Sequence, residues 1–463
     1  MTKNGKTVAE RLAEFAVGTR GDTISGEIFD HAKTAFMDWL GVTYGGMADP
    51  LVEKLITHAD EMGGNPQATV VGRAVKTSVS HAALVNGTAS HVLDYDDTLV
   101  SFFGHPSVTL FPSLLALSEW QGYTGRDFLI AYLVGLQVGG TIGVSAGLDH
   151  YMAGWHATST IGHLASAAGC AKLLGVTERQ FVYALGIAAT QSCGLKRVFG
   201  TMCKPFHAGR ASQAGLMAAL LAQKDFSGPA DILEGPQGFF ELFKGGLNEE
   251  VLALLGLGWD VVNMSQKYHA SCHATHSPLE AALEVVHSEK LAIEDISKIT
   301  VHSSKMALDA AGNSRPATGR EGKFSIPFCV ANALVNGETG TNAFTDENVS
   351  DPAVTTLMEK ITVTLDPEKI ALEAHVDIET RDGKVRRGFS DILQQIPPLE
   401  IKKNRVGKKF LDLCGGVLTP EAAGKIRQKI DDLENISNMA DFMDGLQDGS
   451  GPHAKAGPYG SNR

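Results

Sequence analysis

The sequence predicts a mainly α protein, with a large all-helical domain and a smaller α+β domain. Three observations support this fold class. Apolar residues keep helical spacing almost unbroken from Thr7 to about Ala222, and alternating β-branched segments appear after about residue 265. Helical spacing then returns after Pro397-Pro398. A helical domain that resumes after an inserted α+β segment is the simplest organisation consistent with this order.

We therefore predict three regions. The all-helical domain is discontinuous and takes residues 1–265 and 400–445, the α+β domain takes 266–399, and the Gly/Pro/Ser-rich tail at 446–463 is disordered.

Eight segments of the N-terminal part predict helices, from VAERLAEFAVG at residue 8 to ASQAGLMAALLAQ at residue 211. Each has apolar residues three or four positions apart, or a long run of small apolar residues. The frequent Ala and Gly indicate close helix crossings. The most apolar window, Leu129–Leu148, carries Gln137 and five glycines, so we interpret it as a buried helix rather than a membrane span.

The second domain combines strands and helices. IEDISKITVHSS and AHVDIET alternate in the manner of half-buried strands, and SPLEAALEVVHSEKL and SIPFCVANALVNG have helical spacing. Asp382-Gly383 predicts a type I′ turn that joins AHVDIET to a following strand, KVRRGF, in a hairpin.

Charge and cysteine usage narrow the function class. The chain has 463 residues and a formal net charge of -12, which argues against nucleic acid or an anionic membrane as the main partner. Its six cysteines show no CxxC spacing, so neither a disulfide framework nor a zinc ribbon is indicated. We expect a cytoplasmic protein.

The stretch LDYDDTLVSFFGHPS, residues 93–107, has two interpretations. Asp94, Asp96 and Thr98 match the DxDxT loop of Mg²⁺-dependent haloacid-dehalogenase-type phosphatases. That loop must follow a buried parallel strand, whereas LVNGTASHVL before it has the composition of a helix end. The alternative is a carboxylate and hydroxyl cluster placed seven positions before His105.

A longer series of segments resembles the MmgE/PrpD family. The matches are NGTASHVLDYDDT with GHPS, TSTIGHLASAAGCAKLLGV, CKPFHAGRASQAGLMAALLA, ILEGPQGFFELF, QKYHASCHATHSPLEAA and GKFSIPFCVANAL, in that order. The resemblance implies an all-helical domain with a smaller α+β lid. It also implies a homodimer without a metal or organic cofactor, and a small polycarboxylate substrate.

The family's functional residues carry over to positions of this sequence. The resemblance implies a catalytic role for His105, His156, Asp94 and Lys204. It implies substrate contacts by Thr98, His207 and Lys267, and the chemistry of their side chains makes Arg210, His273 and His276 further candidates for substrate binding. The chemistry is suitable, because histidines transfer protons near neutral pH and lysines stabilise the charge that develops on a carboxylate beside a carbanion.

Histidines 269, 273 and 276 have a second interpretation. Spacings of four and three would place the three imidazoles on one face of a helix, which is a feasible zinc arrangement. The resemblance favours substrate contact, since the family binds no metal there.

The resemblance leaves several reaction types of the family as alternatives. Dehydration of a 2-methylcitrate-like hydroxy acid is the leading prediction, followed by epimerisation or isomerisation and by decarboxylation. Cis-aconitate decarboxylases carry a histidine at the position of Cys272, and a tyrosine where GNSRPATGREGKFS has none. Both departures weigh against decarboxylation. A carboxylate-binding protein without turnover is the alternative outside enzymes.

Overall fold

A computed structural model describes residues 5–337 and 339–447 of the chain. The polypeptide divides into two compact units, one formed by Met1–Gln266 together with Leu399–Arg463 and the other by Lys267–Pro398. The predicted tail begins at residue 446, but the last helix extends to Gln447; residues 448–463 lie outside the described part.

The first unit is built from helices and one short hairpin. Its elements are α1 Val8–Gly18, α2 Gly26–Gly46, α3 Pro50–Met62, β1 Ala68–Val70, β2 Val75–Thr77, α4 Val79–His91, α5 Ser107–Gln121, α6 Gly125–Met152, α7 Ala157–Leu173, α8 Glu178–Ala189, α9 Cys203–Ala222, α10 Phe239–Leu242, α11 Glu249–Ala253, α18 Leu399–Cys414, α19 Pro420–Asp431 and α20 Met439–Gln447. β1 and β2 pair antiparallel.

Small residues allow the central helices of this unit to cross closely. Helices α4 and α9 meet at Gly87 and Gly209, where a Cβ on Gly87 would lie 2.8 Å from the Cα of Gly209. A Cβ on Gly209 would lie 2.2 Å from the carbonyl oxygen of Leu84. Any larger side chain there must push the two helices apart.

Helix α6 is long and apolar enough to cross a membrane, with a mean hydropathy of 1.6 over its most apolar window. The protein buries 94% of that window, however. This confirms the prediction of a buried helix whose small residues permit close packing. Gly139, for example, leaves room for the ring of Phe102, which would otherwise lie 2.5 Å from a Cβ.

The second unit contains a four-stranded sheet and several helices. Its elements are α12 His276–Glu289, β3 Ile296–Ser303, α13 Lys305–Ala311, α14 Gly319–Gly322, α15 Ile326–Asn336, α16 Asp346–Ser350, α17 Pro352–Met358, β4 Ile361–Leu365, β5 Ala374–Thr380 and β6 Val385–Ser390. The strand order is β4-β3-β5-β6, with β3 parallel to β4 and antiparallel to β5. The two units confirm the predicted mainly α class with a smaller α+β part.

Candidate active site

The loop between α4 and α5 carries two of the four predicted catalytic side chains, Asp94 and His105. Asp94 lies three residues after the end of α4 and has a left-handed backbone (φ 52°), a conformation that Asp tolerates better than most residues. Two backbone bridges then fix the loop, one between Thr98 and Ser265 and the other between Leu99 and Gly104. His105 follows directly, and its backbone N–H donates to the hydroxyl of Thr158 at 3.1 Å.

Asp96 lies at the centre of the site and is 1% exposed. Nδ1 of His91 lies 3.0 Å from both of its carboxylate oxygens, and Nδ1 of His105 lies 2.9 Å from Oδ2. Burial opposes the ionisation of Asp96, but the two imidazoles outweigh it and hold the pKa of the carboxyl well below its usual range. A carboxylate only accepts hydrogen bonds, so both rings carry their proton on Nδ1.

This arrangement leaves the other nitrogen of each ring unprotonated in the neutral form. Nδ1 of His105 also lies 2.9 Å from the carbonyl oxygen of Asp97, a second acceptor that reinforces the same tautomer. Nε2 of His91 is buried and has no hydrogen-bond partner among the described residues. Burial lowers the pKa of His91 to about 4, against the effect of Asp96, so that ring is neutral at pH 7.

Asp94 and Lys204 form an ion pair beside His105. The ammonium of Lys204, in the first turn of α9, lies 3.0 Å from Oδ1 of Asp94, and the same oxygen lies 4.0 Å from Nε2 of His105. The three side chains are partly exposed. A basic nitrogen and a cation are therefore both accessible to a small molecule here.

His156 and His207 form a second group of imidazoles. Their Nδ1 atoms are 3.0 Å apart, and the His156 ring stacks 6.0 Å from that of His91. His156 precedes α7, and His207 lies in the first turns of α9, on the same side of that helix as Lys204. Phe199 packs against the edge of the His156 ring with its centroid at 4.9 Å.

Buried polar groups hold the loop between α4 and α5 in place through contacts with Asp97 and Tyr95. The carboxyl of Asp97 accepts from the hydroxyl of Ser107, which also contacts the Tyr132 hydroxyl at 3.0 Å. Burial and the nearby Asp38 raise the pKa of Asp97 to about 8. The ammonium of Lys409, on α18, lies 2.7 Å from Asp38 and donates to the carbonyl oxygen of Tyr95.

Four of these side chains could hold a metal ion. The nearest donor atoms of His91, Asp94, Asp96 and His105 lie within 4.8 Å of one another. Two imidazoles with two carboxylates suit a divalent transition metal. Asp94, however, already pairs with the Lys204 cation, and Asp96 already accepts from two N–H groups, so a metal would have to displace both sets of contacts.

The phosphatase interpretation of the DYDDT segment is wrong. The residues before Asp94 form α4, a helix, whereas the phosphatase aspartate needs the carboxyl end of a buried parallel strand. The acidic side chains of the loop are instead engaged by His91, His105, Lys204 and Ser107.

Two other predicted residues of this unit, Thr98 and Arg210, make contacts of a different kind. Thr98 holds the base of the loop through reciprocal backbone bonds with Ser265, at 2.8 and 2.9 Å. Arg210 donates to Gln213 on its own helix, and the Gln213 amide in turn reaches the Ser80 hydroxyl at 3.0 Å.

The remaining predicted residues lie in the second unit, where three imidazoles meet. The ring of His276 packs 4.9 Å from the rings of both His269 and His273, and burial lowers its pKa well below the usual value. Lys267, 1% exposed, adds a nearby positive charge. The predicted single helical face is wrong, because His269 precedes the helix and His273 lies in a 3-10 turn that ends where α12 begins.

The sequence interpretation missed two residues of the first unit. The sequence assigns no role to His91, and it places Asp96 in the carboxylate cluster before His105 without giving it a role of its own. The available signal was a histidine at a helix end, five positions before a carboxylate in a turn. That spacing is too common to identify a pair without the fold.

Comparisons with known proteins give a consistent result. A family model described as the MmgE/PrpD N-terminal domain matches residues 10–251, and one described as the MmgE/PrpD C-terminal domain matches residues 269–435.

Several curated relatives align over most of the chain. A cis-aconitate decarboxylase of Aspergillus terreus is 28% identical over 94% of this chain and 95% of its own length. The mouse cis-aconitate decarboxylase is 26% identical over 95% of this chain and 94% of its own length. A mitochondrial 2-methylcitrate dehydratase of Yarrowia lipolytica is 24% identical over 82% of this chain and 78% of its own length.

Proposed function

The chain belongs to the MmgE/PrpD family, and from this we propose that it is a lyase that moves a proton at a carbon atom beside a carboxylate of a small di- or tricarboxylate. The proposed reaction uses no metal or organic cofactor. The observation that carries the proposal is the tautomer of His105, whose Nδ1 faces two acceptors and whose Nε2 therefore offers a lone pair beside Lys204 and Asp94.

The geometry supports proton abstraction by His105. Nε2 takes the proton from carbon, and Asp96 stabilises the imidazolium that forms. The electrons left on carbon delocalise into the substrate carboxylate, where a fixed cation lowers the free energy of the transition state. Lys204 supplies that cation, and its pairing with Asp94 holds the ammonium in place before substrate arrives.

Dehydration is the leading reaction because the site contains two separate groups of imidazoles. In an elimination, His105 removes a proton from carbon, the electron pair forms the C=C bond, and the C–O bond breaks. The leaving hydroxyl must receive a proton to depart as water, and His156 is the candidate donor. A 2-methylcitrate-like hydroxy acid is the proposed substrate type, in line with the dehydratase relative.

Decarboxylation is the second candidate. Relatives named cis-aconitate decarboxylase align over 94% and 95% of this chain, which favours that chemistry, whereas Cys272 departs from their pattern. An epimerase would share the first step and return the proton to the opposite face of the carbon.

The test is a screen of citrate, 2-methylcitrate, cis-aconitate and aspartate-like acids. We expect one of them to exchange a carbon-bound proton in D₂O, followed by NMR. New absorbance of a double bond identifies dehydration, and CO₂ release identifies decarboxylation. His105→Ala should lower turnover by about 10²–10⁴-fold with an unchanged circular dichroism spectrum.

The control is His58→Ala, which removes an exposed histidine of the same unit and should leave turnover unchanged. Binding of an acid without exchange or turnover would identify a carboxylate-binding protein instead. Full activity of the His105→Ala protein would remove His105 from the reaction.

A further inference from the structure

The hydrogen bond between His156 and His207 joins two nitrogens of the same kind. Nδ1 of one ring lies 3.0 Å from Nδ1 of the other. A neutral imidazole has one N–H, so one ring must donate through Nδ1 and the other must accept through Nδ1. The two rings therefore hold complementary tautomers, and the accepting ring carries its own proton on Nε2.

The two histidines differ in their access to solvent. His156 is 3% exposed, whereas His207 is half-buried at the start of α9. Burial lowers the pKa of both rings, and the nearby charge of Lys204 lowers that of His156 further. An imidazolium at His156 is therefore disfavoured, and a proton donor at that position needs a route that avoids a charged ring.

We infer that His207 is a positioning residue for His156, fixing the tautomer of the buried ring and connecting it to solvent. This inference rests on the proposed function, in which His156 protonates the leaving hydroxyl. His156 gives its Nε2 proton to the leaving hydroxyl, which departs as water, and the shared proton moves from Nδ1 of His207 to Nδ1 of His156. A water molecule then protonates Nε2 of His207 and leaves hydroxide in solvent. Both rings are neutral before and after the transfer.

The reverse transfer restores the first arrangement. The proton that His105 took from carbon returns to Nε2 of His156, the shared proton moves back to Nδ1 of His207, and the Nε2 proton of His207 leaves to neutralise the hydroxide in solvent. The pair thus passes protons without the net charge that burial disfavours at His156. This role differs from direct substrate binding by His207, because it changes the rate of proton transfer rather than the affinity for the acid.

The first experiment needs no substrate. Protein labelled with ¹⁵N-histidine is studied by long-range ¹H–¹⁵N correlation spectra, with resonances assigned from single histidine variants. We expect one ring of the pair to be the Nδ1–H tautomer and the other the Nε2–H tautomer. In His207→Gly, the signals of His156 should shift, while those of the distant His58 stay unchanged. Two Nε2–H tautomers in the unmodified protein would overturn the inference.

The second experiment uses turnover of the acid identified by the screen. His207→Gly should lower kcat by about 10-fold or more with KM within about twofold, and added imidazole should restore part of kcat because the gap left by a half-buried side chain is accessible to it. His81→Gly is the matched control, since it removes another half-buried histidine of the unit.

The outcomes separate the two roles. A raised KM with unchanged kcat would assign His207 to substrate binding, and a loss of kcat that imidazole does not restore would assign it a structural role; both contradict the inference. If no acid is turned over, the proposed function fails, and the spectra of the unmodified protein still decide whether the proton is shared.

Discussion

At the scale of single residues, Asp96 determines which nitrogens of the site are basic. Its carboxylate accepts from Nδ1 of two imidazoles, so His91 and His105 both present Nε2 as the free nitrogen. Because His91 donates a hydrogen bond to Asp96, it takes the place of a water or substrate group that could otherwise donate to this carboxylate. The charge of Asp96 is buried, where a charge acts on its neighbours more strongly than it would in water.

We predict that Asp96→Asn lowers kcat by about 10³–10⁴-fold, because an amide can satisfy Nδ1–H only through its oxygen and removes the charge that stabilises an imidazolium. The measurement is steady-state kinetics together with circular dichroism. Asp225→Asn, a change at an exposed carboxylate, is the control. A kcat within tenfold of the original would show that Asp96 does not control His105.

We also predict that prolonged dialysis against EDTA leaves turnover unchanged. The reason is that Lys204 and two N–H groups already satisfy the carboxylates of the four-residue group that could hold a metal. Turnover before and after dialysis, with the metal content of both samples, checks this. Loss of activity that added Zn²⁺ or Mg²⁺ restores would instead establish a metal enzyme.

At the scale of elements, the crossing of α4 and α9 sets the distance between His91 and the side chains of Lys204 and His207. The crossing is close because Gly87 and Gly209 lack side chains. The helices therefore act as a rigid frame for the two imidazole groups. If the two helices moved apart at the glycine contact, the distances from His91 to Lys204 and His207 would change as well.

We predict that Gly209→Ala destabilises the protein by about 1–3 kcal/mol and lowers kcat by up to about 10²-fold, since its Cβ would lie 2.2 Å from the Leu84 carbonyl oxygen. Urea unfolding and kinetics measure the two effects. Gly424→Ala on α19 is the matched control, because its Cβ meets nothing within 4 Å and should stabilise the helix slightly. Unchanged kinetics in Gly209→Ala would uncouple the crossing from the site.

Helix α18 contributes two buried lysines to the same region. Lys409 pairs with Asp38, and Lys402 donates to the carbonyl oxygens of Val262 and Met264 at 2.9 and 3.0 Å. Met264 directly precedes Ser265, which bridges Thr98. Helix α18 therefore contacts both the loop, at Tyr95, and the segment that pairs with it, at Met264.

We predict that Lys409→Met costs about 3–5 kcal/mol in the free energy of unfolding, because it leaves the Asp38 carboxylate buried without its cation. The double variant Asp38→Asn/Lys409→Met should recover a large part of that loss. Lys408→Met, at the exposed neighbouring position, should change little. Equal losses in the single and double variants would show that the charge of Asp38 is not the cause.

The sequence predicts elements better than it predicts turns and side-chain pairs. The segment VAERLAEFAVG matches α1 residue for residue, since its amphipathic spacing and its Thr7 capping box are local. The hairpin of β1 and β2 was missed, because three-residue strands are too short to show alternation. Asp382-Gly383 does lie in a hairpin, but only Gly383 has positive φ, so the type I′ prediction is wrong.

For the site, too, the sequence predicts some features and not others. Asp94, His105 and Lys204 come together as the resemblance implies for a common site, although their catalytic roles stay predictions. The network of Asp38 and Lys409 was not predictable, because it joins residues separated by most of the chain and depends on how α18 packs against α2.

At the scale of the whole molecule, buried neutral histidines make stability depend on pH. Burial lowers the pKa of His91 and of His163 to about 4. The unfolded chain binds protons at these positions below about pH 6.5, whereas the folded protein does so only near pH 4. Unfolding is therefore favoured progressively as the pH falls through this window. The predicted homodimer and cytoplasmic location stay predictions.

We predict that these two histidines lower the free energy of unfolding between pH 7.5 and pH 5.5 by about 1 kcal/mol each. Asp97, with its pKa raised to about 8, acts in the opposite direction over the same window, so the histidine contribution is obtained by comparison with a variant. Urea unfolding at both pH values measures the difference. His163→Gln should reduce it, while the exposed variant His58→Gln should not. The same difference in the His163→Gln protein would contradict the assignment.

The position of α18 in the chain has a consequence for synthesis. The loop with Asp94 and His105 is translated early, but the buried ammonium beneath it belongs to Lys409, which the ribosome adds some three hundred residues later. A nascent chain, or a fragment that stops before Leu399, carries Asp94 and His105 without that cation. Activity should therefore appear only after the last helices have emerged and packed, so that incomplete products of translation do not consume substrate.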